Sequence, residues 1–188
     1  MVHFSWLQIR FFVLLVALVI AAIFWGVARV AAVVPPALQK PGYKSGVGGV
    51  LLFVVVFVWM QAMTPLFRLG REIAEAVRVA MLDTSYTWAA LQTVIPDLTS
   101  ALFLTVAAFM LTAGRSAKAL YGAVILGWLG GPLSAFLRAY FLNIPITWNG
   151  EPSGMVMAML VTTLYLLFAD RVTLTYGLPK AALLPDRA

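Results

Sequence analysis

The side chains able to do chemistry are few, and the densest group of unusual residues is a break in the backbone. Gly127, Gly130, Gly131 and Pro132 interrupt an otherwise apolar run. Gly127 and Gly131 form a GxxxG pair, which lets a neighbouring helix come close. Pro132 has no N–H to give and kinks any helix that contains it. A helix broken at mid-membrane frees carbonyls and half-helix dipoles, the groups with which transporters hold ions and solutes. Here Gln61 and scattered serines and threonines are the only deep polarity expected, so the break is read first as kinked packing and second as a binding site. Arg138 lies about one turn from the end of the same run. A side chain of that length can snorkel to water, so Arg138 is expected to anchor the helix at the interface or to touch an anion or lipid headgroup.

Most catalytic chemistries lack their parts. Cysteine is absent and histidine occurs once, as His3, which leaves no multi-histidine metal or haem site and no cysteine nucleophile. A serine hydrolase needs a base beside its nucleophile. An aspartyl protease needs two carboxylates in one site, and the 7 acids fall at the ends of apolar runs or between them. Metal-assisted transfer needs clustered acids, and a proton pump needs a buried chain of ionisable groups. No catalytic residue, cofactor or metal is expected, and the chain reads as a non-enzyme.

The elements that must position these residues are membrane helices. Of 188 residues 63% are hydrophobic and 11% charged, and the mean hydropathy is +0.97; soluble domains carry about 25% charge. Such surface suits lipid. Phe11–Ala28 is a charge-free first span, stopped after Arg29 by Pro35 and Pro36. Gly46–Leu66 is a second, and Asp97–Ala113 a third, with Asp97 expected to cap its first amides behind Pro96. The fourth runs from Ala119 to Leu142 and the fifth from Gly154 to Ala169. The fold class expected is all-α, a polytopic bundle of about five spanning helices. A cleaved secretory signal at the N-terminus is the alternative for the first span, and its apolar run is long for one.

Between spans two and three, Leu66–Leu82 repeats Leu69, Ile73, Val77, Ala80 and Met81 at helical spacing, with Arg68, Arg71, Glu72, Glu75 and Arg78 opposite. This predicts an amphipathic helix, read first as a connector lying flat in the headgroup layer and second as a lid or docking platform on the outer face. A turn at Asp83–Ser85 and a short helix over Tyr86–Ile95 complete an outer loop of residues 66–96. Of the 13 basic residues, Arg29, Lys40, Lys44, Arg115, Lys118, Arg171, Lys180 and Arg187 fall on one side when the basic Gly114–Lys118 turn is placed in the cytoplasm. That orientation puts the N-terminus outside and the C-terminus inside. Arg71, Arg115, Lys118 and Trp148 join Arg138 as expected lipid-interface residues. The basic residues flank spans and form no dense patch, so anionic lipid is the expected partner and nucleic acid is not. Trp59 and Trp128 fall within spans and are assigned to packing.

Two stretches carry a resemblance. Ser45-Gly46-Val47-Gly48-Gly49-Val50-Leu51-Leu52 opens a span that ends at Pro65-Leu66, and Leu164–Gly177 closes with Arg171, Val172, Thr175 and Tyr176. From Lys44 onward the chain resembles the YdgK-like family of small bacterial integral membrane proteins of unknown function. The resemblance implies a bacterial inner membrane and a four-helix membrane domain over residues 44–188, preceded by an extra helix and linker over 1–43. It implies no activity. The expected function is that of a non-catalytic accessory or scaffold subunit packing against other integral membrane subunits, in a respiratory or photosynthetic assembly for example. A small solute or lipid transporter using the broken fourth span, and a membrane sensor or regulator, are the alternatives.

Overall fold

The computed structural model describes residues 6–147 and 150–185. Its elements are helical: α1 (Trp6–Val33), α2 (Val50–Leu82), α3 (Thr87–Ala113), α4 (Ala117–Trp128), a π-helical turn (Leu129–Leu133), α5 (Ser134–Phe141), α6 (Glu151–Phe168) and α7 (Asp170–Tyr176). Four segments are long and apolar enough to cross a membrane: α1 from Val13, α2, α3, and α4 through α5. A fifth counts if α6 and α7, bent by 72° at Ala169, are taken as one broken span. The chain is therefore an all-α, multi-pass membrane bundle.

Its core lies between α2 and α3. Leu51, Val55, Val58, Leu104, Ala107 and Leu111 are among the residues closed from solvent there. Two indoles stitch helices together as packing residues: Trp59 donates to Thr112 Oγ1 at 2.9 Å, and Trp128 to Thr163 Oγ1 at 3.0 Å. A neutral bond of this kind contributes about 1 kcal/mol. α1 stands at the edge. Val27 is buried and Phe24 meets Phe53 edge-on at 5.6 Å, while Leu14, Leu18 and Trp25 remain exposed.

One end of the bundle is closed by the 34–49 linker folded against α7. Ala37 and Leu38 donate their N–H groups to Thr175 and Leu174 carbonyls, each at 3.0 Å. Lys40 Nζ reaches the Leu184 carbonyl, and the Tyr176 hydroxyl donates to the Leu111 carbonyl at 2.5 Å. The two stretches that carry the family resemblance thus pack together: Gly46 N–H donates to Thr175 Oγ1 at 3.0 Å, and Arg171 Nε to the Gly46 carbonyl at 3.0 Å. This cap end carries Arg29, Lys40, Lys44, Arg115, Lys118, Arg171 and Lys180, with Asp170 its one acid among the described residues.

At the other end the structure corrects the expectation. Residues 66–96 are not a loop carrying a helix that lies flat. The amphipathic segment is helical as expected, but it continues α2 without a break through Pro65, and Tyr86–Ile95 continues into α3 through Pro96. α2 has 33 residues, so it is roughly 50 Å long, against about 30 Å of hydrocarbon. Tilts of up to about 40° still leave its far end outside the hydrocarbon. The result is a helical hairpin arm that turns at Asp83–Tyr86, where Ser85 N–H donates to Asp83 Oδ1 at 2.8 Å.

Candidate functional site

The root of the arm holds a buried ionic cluster that brings three helices together. Arg68 and Glu72 are one turn apart on α2, Asp97 lies inside α3, and Arg138 lies on α5. Arg138 Nη1 donates to both Asp97 oxygens, at 2.9 and 2.8 Å, and its Nη2 to Glu72 Oε1 at 3.1 Å. Arg68 Nη2 stands 3.3 Å from Asp97 Oδ1. Asp97 is 1% exposed and Glu72 9%. Two guanidinium groups and two carboxylates balance, the condition under which charges tolerate burial.

Two expectations change here. Asp97 does not cap α3, because the helix starts ten residues earlier at Thr87; it is an interior residue whose carboxylate points into the bundle. Pro96 forfeits one backbone bond, and Thr99 Oγ1 donates to the Ile95 and Pro96 carbonyls at 3.0 and 2.9 Å. Arg138 does not snorkel outward. It turns inward to the two acids, since a buried carboxylate pair offers it charge-assisted bonds that are stronger than neutral ones.

The broken fourth span lies against this cluster. Gly131, Ser134 and Ala135 share with Arg68, Asp97 and Arg138 the lining of a void of about 10 Å³, room for about one water at most. Two carbonyls of the π-helical turn accept hydrogen bonds from hydroxyls. Ser100 Oγ donates to the Gly130 carbonyl at 2.6 Å, and Ser134 Oγ to the Leu129 carbonyl at 3.0 Å. Gly130 makes the close backbone approach: a Cβ there would stand 3.0 Å from Leu104 N and 2.9 Å from Phe103 Cβ. Gly127 and Gly131 face the Met159 side chain on α6 instead, with would-be contacts of 2.5 and 3.3 Å. Pro132 is buried inside the turn. π-Helical turns are frequent at functional sites, and in this one the Leu129 and Gly130 carbonyls are satisfied.

The remaining expected interface residues scatter. Arg71 is exposed on the arm and Lys118 exposed at the cap end. Arg115 is half-buried and caps α3 and α1, its Nη1 donating to the Thr112 and Gly114 carbonyls at 2.9 and 2.6 Å and its Nη2 to the Val34 carbonyl at 3.4 Å. Burial lowers its pKa from the ordinary arginine value. Trp148 lies outside the described residues.

The arm departs from its predicted polarity at its root, and beyond Glu72 both of its faces are exposed, Arg71, Glu75 and Arg78 as well as the apolar stripe. Arg68 and Glu72, read as the solvent face, point into the bundle, while Ile73, Val77, Met81 and Leu82 point away from it, the last two 81% and 82% exposed. Tyr86 in the turn and Trp88 and Leu91 on α3 are exposed as well. Comparison with known family models, curated proteins and solved structures finds no match to the chain.

Proposed function

We propose that the protein is a non-catalytic accessory subunit that presents the hairpin arm to a larger integral membrane assembly. The observation that carries this reading is the bare apolar stripe of the arm: Ile73, Val77, Met81 and Leu82 stand exposed beside Arg71, Glu75 and Arg78, on helices that outrun the hydrocarbon and are tied at their root by buried charges. Beyond Glu72 each helix runs on for about ten residues, or about 15 Å. Apolar side chains at that height gain nothing from water, and a concentrated patch of them marks a protein or membrane interaction surface. The ionic cluster gives the arm a fixed base from which to dock. The bare outer face of α1 suits lipid or a second contact with the same assembly. The charge asymmetry supports a cytoplasmic cap end and an arm on the opposite side, in a bacterial inner membrane.

A photoreactive side chain at Met81, introduced in native membranes, tests the reading. Adducts to one integral membrane protein are expected; adducts to lipid alone would overturn it, as would a solitary monomer after gentle lipid extraction.

Transport through the broken fourth span is the second reading. The charged cluster beside the turn favours it, and the void of about 10 Å³ with its occupied carbonyls opposes it. Substrate flux abolished by Gly131→Leu in a folded protein would turn the balance toward transport.

A further inference from the structure

Arg171 is held in a seat that only glycine permits. Its guanidinium lies across Gly48 and Gly49, where a Cβ would stand 2.7 Å from Nη2 and 2.8 Å from Nη1, and Gly46 and Gly49 take φ of +85° and +55°, backbone that favours glycine. Nε is spent on the Gly46 carbonyl. The two Nη groups have no carboxylate or carbonyl acceptor among the described residues, and Asp170, next in sequence, forms no ion pair with them. A charged fork with half its edge engaged and the rest open is set to bind an oxyanion.

The space in front of it has matching chemistry. Arg171, Ser45, Gly46 and Gln39 share a cleft of about 620 Å³ with the last turns of α1, where Ala28, Ala31 and Ala32 form an apolar wall continued by Pro35 and Pro36. One side offers a cation and small polar groups; the other offers methyl and methylene surface that climbs along α1 toward the hydrocarbon. The cleft sits at the cap end, one α6 length of 18 residues from the arm side, or about 27 Å, which is headgroup level. The cap end as a whole carries seven basic residues against Asp170 among the described residues, a balance that favours a headgroup of net negative charge.

We propose that this cleft is a specific site for an anionic phospholipid, with the headgroup phosphate on the Arg171 Nη groups and the glycerol and first acyl methylenes along Ala28, Ala31 and Ala32. The site is independent of the arm and of the accessory reading. Arginine rather than lysine is required because the planar fork can engage two phosphate oxygens while its third nitrogen stays on the Gly46 carbonyl.

Native mass spectrometry of the detergent-solubilised full chain, with phosphatidylglycerol, phosphatidylcholine or inorganic phosphate added, tests the site. The wild type is expected to retain one phosphatidylglycerol under activation that strips phosphatidylcholine. Arg171→Gln and Gly48→Ala, which pushes the guanidinium off its seat, are each expected to lower that retention at least about tenfold, the loss of one charge-assisted pair. Lys180→Gln, at the same end but outside the cleft, is expected to leave it unchanged. Should Arg171→Gln fail to fold, Gly48→Ala and the wild-type lipid preference still decide. Equal retention in Gly48→Ala, retention of the zwitterionic lipid as strongly as the anionic one, or displacement of the lipid by millimolar inorganic phosphate would each overturn the proposal.

Discussion

Replacing Asp97 with Asn keeps the shape of the side chain, removes its charge and unbalances the cluster at the root of the arm. Arg138 and Arg68 would then share the single carboxylate of Glu72, leaving one uncompensated positive charge where Asp97 is 1% exposed. Removing one partner from a buried pair costs about 3–5 kcal/mol. Arg138→Gln alone leaves the opposite imbalance, two carboxylates against Arg68, and a cost of the same order. The double variant restores one cation to one anion, so its cost should fall well short of the sum, with a coupling of about 2 kcal/mol or more between the sites. Equilibrium unfolding in mixed micelles, read by tryptophan fluorescence, measures all four corners of the cycle. Costs within about 0.5 kcal/mol for both single variants, or strict additivity, would refute the view that the cluster is a buried and mutually compensated unit.

Three further substitutions probe the glycine contacts, the core and the tip of the arm. Gly130→Ala forces a Cβ against the Leu104 backbone of α3 and should cost about 1–3 kcal/mol, whereas Gly127→Ala meets only the movable end of Met159 and should cost less; the same unfolding assay ranks them. Tyr176→Phe strands the Leu111 carbonyl in the core and should cost about 1–3 kcal/mol. Asp83→Ala removes the acceptor for Ser85 N–H, so hydrogen exchange at the tip of the arm should accelerate while amides near Asp97 stay protected. That same bond holds the Asp83 carboxyl below its ordinary pKa. Its contribution is therefore complete above the unfolded value near 3.8 and fades as pH falls below it, visible as faster tip exchange in acid in the wild type but not in Asp83→Ala.

The helices were legible because an apolar run flanked by charge has one stable form in lipid, and the turn at Asp83 was legible from its capping residues. What escaped was the partner of each charge. Arg68 and Glu72 sit on the polar side of a good amphipathic pattern, and periodicity alone says that such a side faces water. Here these two residues of it face Asp97 and Arg138, which are remote in sequence, while Arg71, Glu75 and Arg78 stay exposed. Pro96 suggested a helix start and so made Asp97 a cap; the helix instead begins at Thr87 and runs through the proline. An arginine inside a predicted span was the available signal, since such a residue seeks an internal acid more often than it reaches lipid. The glycines of the broken span were found, but their division of labour was not: Gly130 meets backbone, Gly127 and Gly131 meet a methionine.

The chain contains no cysteine, so a single Met81→Cys variant reports on the arm without interference. Labelling by a membrane-impermeant maleimide should be rapid in the isolated protein in lipid nanodiscs, because the tip stands clear of the hydrocarbon, and strongly slowed in native membranes, because a partner covers it. A cysteine shielded in nanodiscs would return the arm to the bilayer surface, and equal labelling in both settings would leave it without a partner; either result contradicts a docking arm.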